Sequence, residues 1–249
     1  MPTFGVVVFS LRGMKHLPDC LKSVAQTLKP DEILLLHAGG GAPEIGGGEF
    51  PALRIQSVGS LAEAKKYFAE IKAERVLFLW ADERLEGGLA DELRELCRDR
   101  SPGRPPSCRI PVRSYVLREW VEGSVCGPSP AVRFGRNLSE VPLGWWAQKD
   151  RTASEPTRGW IGDYGCSDLS DAVERVQSLS EFWAESLGCA ASPPGPARTA
   201  LRSLGVFIKM LFLNRLVSRG IAGITLSALA SYAVLLGGVK LWEARHARK

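Results

Sequence analysis

At 249 residues, with 45% apolar and 24% charged residues, the chain is long enough to bury a core and too apolar for general disorder. Its formal charge of +5 is unevenly divided: residues 196–249 hold nine Lys/Arg against one acid, so residues 1–195 carry a net −3. A uniformly basic nucleic-acid binder would not divide this way, and the acidic part holds no interleaved aromatic and basic motif, which excludes nucleic acid as the expected partner.

Residues 5–9 form a β-rich apolar run and read as a first strand buried on both faces. The run is too short for a secretory signal and has no basic region before it, which predicts a body on the cytosolic side. Leu17, Leu21, Val24 and Leu28 give helical spacing over 14–28, and residues 33–36 read as a second buried strand ending at His37. The glycines between Gly39 and Gly48 lack the Gly-Lys-Ser/Thr ending of a phosphate-binding loop and read as a surface connection. A third strand is expected at 53–58. Ser60 then caps a helix over 61–72, with Glu63 completing a capping box.

Residues 75–79 read as a buried strand that delivers Asp82-Glu83 to its carboxyl end, where open α/β sheets bind their ligands. An acid pair there suits a divalent cation and, through it, a phosphorylated ligand; the plainer alternative is that Asp82 caps the following turn. A helix over 88–98, a strand over 109–120 centred on Tyr115, Val116 and Leu117, and a helix over 168–187 complete the body. The alternation predicts a parallel α/β sheet. The six cysteines form no CxxC pair and the three histidines do not cluster with them, so reduced thiols are expected rather than a zinc site.

Residues 190–196, rich in proline, read as a linker between a domain over 1–189 and a tail over 197–249. Residues 221–239 hold no charge over a length just sufficient for a ~30 Å hydrocarbon core. Basic residues flank this stretch on both sides, which suits a hairpin or in-plane helix on an anionic leaflet better than an oriented span. A buried helix packed on the domain is the alternative. On the membrane reading, deleting the tail leaves a soluble body.

The order of a first strand, the Leu17-Pro18-Asp19-Cys20-Leu21-Lys22-Ser23-Val24 helix, Asp31-Glu32-Ile33-Leu34-Leu35-Leu36 and Val76-Leu77-Phe78-Leu79-Trp80-Ala81-Asp82-Glu83 is similar to family 2 glycosyltransferases. Asp163-Tyr164-Gly165-Cys166-Ser167-Asp168-Leu169 before a long helix, and the closing Lys240-Leu241-Trp242-Glu243, resemble the bacterial subgroup near lipopolysaccharide-core glycosyltransferases. The resemblance implies a GT-A-like, Rossmann-related, mostly parallel sheet with flanking helices, followed by an apolar, basic helical tail. It implies a nucleotide-sugar donor, a cell-envelope glycan or lipid-linked acceptor, and a divalent cation, Mn or Mg, on the diphosphate. It places nucleotide contacts at Ser10, Arg12, His37 and Asp82, with Asp82 also the metal ligand. It sets the protein on the cytoplasmic side of the inner membrane, peripheral or single-span.

The chain departs from the family at several of these positions. Arg12-Gly13-Met14 stands for Asn-Glu-Glu, His37 for an Asp, Trp80 for the first Asp of Asp-Ala-Asp-Glu, Ala147-Gln148 for the acceptor-activating His-Glu, and Asp163 for a His. No catalytic residue is assigned, since Gln148 cannot take up a proton near neutral pH. Arg12 could hold phosphate through its planar fork in place of a cation. Arg12, His37 and Trp80 each also have a plain reading: a loop charge, a strand-end histidine and core. A family member that has lost transfer and persists as a membrane-associated binding or assembly partner is the alternative function.

Overall fold

The computed structural model describes residues 3–11, 15–39, 45, 50, 52–98, 107–125, 131–135, 156–187 and 195–246. The elements run β1 (Phe4–Leu11), α1 (Leu17–Thr27), β2 (Glu32–Ala38), β3 (Leu53–Ser57), α2 (Leu61–Ala69), β4 (Arg75–Trp80), β5 (Glu83–Glu86) and α3 (Leu89–Arg98). There follow β6 (Ser107–Ile110), β7 (Val112–Val116), β8 (Glu119–Glu122), β9 (Ala131–Gly135), β10 (Trp160–Asp163), α4 (Leu169–Leu187), α5 (Pro196–Ile208) and α6 (Gly220–His246).

Four strands form a parallel sheet in the order β3-β2-β1-β4, and β9 and β6 extend it antiparallel beyond β4. The α/β class and the mostly parallel sheet expected from the sequence are therefore present, with β9 and β6 as the antiparallel extension. Strand pleating sends neighbouring residues to opposite layers. Val6 and Val8 of β1 pack with Leu17, Leu21 and Val24 of α1 and with Leu89 and Leu93 of α3. Val7 and Phe9 pack on the other side with Phe68 of α2 and with Val176, Leu179 and Phe182 of α4. This two-sided burial explains the continuous apolar runs of β1 and β4.

The expected box before α2 forms with a shift. Ser60 Oγ accepts from the Glu63 N–H at 3.3 Å, while Glu63 Oε2 accepts from the Gly59 N–H at 2.6 Å rather than from that of Ser60. The strand expected over 109–120 is replaced by three elements. Pro111 separates β6 from β7, and Leu117 and Arg118 turn the chain back into β8, with φ of 49° and 70°. Two consecutive left-handed residues are the signature of a type I′ hairpin, which usually carries Asn-Gly, so Leu-Arg gave no turn signal. β5, β10, β7 and β8 make a second, four-stranded sheet.

The segment after the proline-rich stretch is an integral layer of the fold. α5 runs through a π-helical turn (Lys209–Leu213) and a 3-10 turn (Leu216–Arg219) into α6, which packs against both α4 and α5. Ala222, Leu226, Ala230 and Ala233, one turn apart along α6, share a core with Phe9, Trp80, Val116, Val121 and Phe182. A Cβ at Gly238 would overlap Thr199, and the Ser203 and Ser231 hydroxyls meet at 2.9 Å, so α5 and α6 approach closely through small residues. Removing residues 197–249 would uncover Phe9, Trp80, Val116, Val121 and Phe182 on this side of the core.

Candidate functional site

β1 pairs with β2 on one side and with β4 on the other, so the crossover direction reverses at β1/β4. This is the switch point at which α/β sheets open a crevice beyond their carboxyl ends. The strand pairing brings three of the four sequence-derived positions to that edge. Ser10 lies beside His37 in the β1–β2 register, and Asp82 follows β4, whose Trp80 pairs with Phe9. Arg12 lies outside the described residues, as do Ala147 and Gln148.

Trp80 is core. It is fully buried and meets Phe9 and Phe78 edge-on, with ring centroids 5.3 and 5.5 Å apart. An ionised carboxylate in its place would sit unpaired against these rings, a placement that is costly without a partner. Cys20 Sγ, also buried, donates to the Trp80 carbonyl at 3.6 Å. His37 is half-buried, its Nδ1 has no hydrogen-bond partner, and burial pushes its imidazole below the usual histidine range. The downward shift favours the neutral ring, whose unpartnered Nδ1 is itself shut off from solvent.

Asp82 and Glu83 do not face the crevice as free carboxylates. Asp82 is 3% exposed and Glu83 is 0% exposed. Asp82 Oδ1 accepts the His16 N–H at 3.2 Å, and its Oδ2 lies 3.5 Å from Arg175 Nε. Glu83 Oε1 pairs with Arg133 Nη2 at 3.0 Å and its Oε2 accepts the Trp80 N–H at 2.8 Å. Arg175 also pairs with Asp163, Nη1 to Oδ1, at 2.5 Å. Asp163 Oδ2 accepts from Ser124 Oγ at 3.0 Å and Ser114 Oγ at 3.2 Å, and Asp163 Oδ1 accepts the Gly165 N–H at 3.1 Å. Three acids and two arginines thus form one buried network. Burial pushes the Asp82 carboxyl up while Arg175 opposes it, and burial carries Glu83 up to about 7 against the pull of Arg133.

These residues do not fit a divalent cation at Asp82. The expected cation, Mn or Mg, needs at least one carboxylate oxygen free to bind it, Mg²⁺ being held octahedrally by one or two carboxylates together with ligand phosphates and waters. Here both Asp82 oxygens are engaged, the compensating charge is a guanidinium, and no group of three or more His, Cys, Asp or Glu placed to hold a metal occurs among the described residues.

Asp163 was noted only as a departure from the family pattern, and Arg175, Arg133, Ser114 and Ser124 were not among the residues singled out for function. The signal for Arg175 was present: it lies three residues after Ala172 and four before Leu179, on the buried stripe of α4. Gly165 was a second signal, since any Cβ there would overlap the Arg175 guanidinium. Above the network, the outer side of the small sheet carries aromatic rings. Trp120 stands edge-on to Trp160 at 4.7 Å and to Tyr164 at 5.2 Å, and Arg84 lies 4.1 Å over the Tyr164 ring. Tyr164 also donates its hydroxyl to Glu86 at 2.9 Å.

No family model matches the chain, and no curated protein does. Among solved structures, the chain is similar to S. aureus TarS 1-349, at 10% identity over 98% of this chain and 92% of that one, with a TM-score of 0.45. Rv0371c from Mycobacterium tuberculosis H37Rv matches 72% of the chain over its whole length, at 14% identity and a TM-score of 0.40. The galactosyltransferase LgtC, in complex with donor and acceptor sugar analogs, matches 43% of this chain and 46% of its own, at 16% identity and a TM-score of 0.29. Likenesses this distant carry no argument about activity, which rests on the geometry above.

Proposed function

We propose that this protein is a GT-A-like glycosyltransferase that binds a nucleotide-sugar donor at the carboxyl edge of β1, β2 and β4. It passes the sugar to a cell-envelope glycan or lipid-linked acceptor at the cytoplasmic face of the inner membrane. The observation that carries this reading is the convergence of Ser10, His37 and the Asp82 backbone on the switch point of the parallel sheet. The half-buried His37 ring is the group a base or ribose would stack on, with Ser10, only 2% exposed, beside it in the strand register. In transfer, the acceptor oxygen bonds to the sugar's anomeric carbon as the bond to the diphosphate oxygen breaks, the hydroxyl proton passes to solvent, and the leaving oxygen gathers negative charge. Arginine, with its fixed fork, is the group this chain offers for that charge, Arg12 being the position next to the crevice in sequence.

A second reading rests on the buried network. Asp82, Glu83 and Asp163 are all committed to internal partners, so none is free to deprotonate an acceptor, and a protein that binds a nucleotide-sugar without transferring it is consistent with that commitment. Thermal shift with UDP, GDP and CMP tests the shared claim, on the native protein and on His37→Ala. At least one nucleotide is expected to raise the melting temperature, and His37→Ala to reduce that rise. No shift with any of the three contradicts nucleotide binding altogether. Acceptor-dependent release of the nucleotide (UDP, GDP or CMP) from the corresponding sugar donor separates the two readings, since only a transferase yields it.

A further inference from the structure

The outward face of α6 is apolar where a soluble protein's surface helix would be polar. Ile221, Ile224, Ala228, Tyr232, Leu235, Val239 and Trp242 recur every three or four residues and form one exposed stripe along the whole helix. α5 continues the surface with Leu201, 70% exposed, and with Leu204 and Ile208. The turn between the helices adds Phe212, Leu213 at 74% and Val217, and Ile221 at the start of α6 is 75% exposed. A contiguous apolar face of this kind marks an interaction surface.

We propose that this face is an interfacial membrane-binding surface, on which α5, the turn and the outward stripe of α6 lie in the plane of an anionic lipid leaflet. Two observations select that occupant. The surface is rimmed by exposed Arg198, Arg202, Lys209, Arg215 and Arg219, and no acid occurs from residue 196 to 242, so its charge complements acidic headgroups. The opposite face of α6 is already committed to protein. Half of its apolar window is buried inside the fold, and Lys240 reaches Glu181 Oε1 at 2.9 Å and the Gln177 carbonyl at 3.3 Å on α4.

A spanning α6 would have to leave its core or carry α4 into hydrocarbon, with Asp171, Glu174 and Glu181 along it, where charged side chains are expensive. Lying flat costs neither. The helix keeps its packing and buries only the stripe that water now covers. The inference deepens the proposed function by naming where a lipid-borne acceptor is met, and it fails independently of nucleotide binding.

Flotation of the full-length protein with vesicles tests it. Binding is expected to phosphatidylglycerol-containing vesicles, to weaken in high salt, and to be much weaker on pure phosphatidylcholine. Phe212→Ser/Leu213→Ser/Ile221→Ser and, separately, Arg215→Gln/Arg219→Gln are each expected to lower binding by about tenfold or more. An alkaline carbonate wash is expected to release the native protein from membranes. Three results overturn the proposal: vesicle binding unaltered by both variants, membrane-bound protein released only by detergent, or no vesicle binding together with concentration-dependent self-association that the triple-serine variant abolishes. The last would identify the face as a contact between copies of this chain.

Discussion

The strand end at Asp82-Glu83 and the outer face of α6 break the usual distribution of polarity in opposite directions. At the first, charges are buried; at the second, apolar side chains are exposed. Each acid at the strand end has an arginine and further donors, so its burial is satisfied from within the protein. Among the described residues, the α6 stripe stays exposed from Ile221 to Trp242, with only Trp242 stacked on His246. Unpaired buried charge and unsheltered apolar surface both cost free energy, so the difference separates a part of the molecule that is finished from a part that waits for something outside.

The largest effect should come from breaking the finished region. Arg175→Met leaves Asp82 and Asp163 buried without their cation and is expected to cost about 3–5 kcal/mol in urea unfolding. A loss below about 1 kcal/mol would mean that those carboxylates are solvated, and would return Asp82 to the list of open ligands.

A smaller, pH-dependent effect belongs to Glu83. Its folded value of about 7 lies above the ordinary 4.5, so the stability gained by keeping it neutral is complete below pH 4.5 and is lost as pH rises towards 7. Glu83→Gln stays neutral throughout. The stability of the native protein relative to this variant is expected to fall across that window by up to about 3 kcal/mol. Parallel curves for the two proteins would mean that Arg133 and the Trp80 N–H fully offset the burial of Glu83. The smallest effect should come from the waiting region: Ile221→Ser is expected to alter stability by less than about 0.5 kcal/mol, because the side chain packs against little. A larger loss would show that the stripe already has a protein partner.

The strands and helices that carry strong periodicity were legible in the sequence, because β1 and β4 are buried on both faces and α1 and α4 on one. The turn at Leu117-Arg118 was not, since its geometry is imposed by strand pairing on residues that disfavour it. The position of Asp82 at a strand end was readable, but its availability was not. That depends on Arg175, 93 residues away in the chain, reaching across from α4. The apolar tail gave its length and its basic rim to a reader of the sequence. Which half of each turn faces inward required the fold, because glycine, alanine and serine on the inner face blur the contrast with the outer one.

The central claim is that Arg175, and not a metal ion, balances Asp82. Isothermal titration with the nucleotide that gives the strongest thermal shift, in EDTA and then in Mn²⁺ or Mg²⁺, tests it most directly. The predicted result is the same affinity in all three conditions. An affinity that appears only with the cation, and that Asp82→Asn abolishes while the protein stays folded, would contradict it.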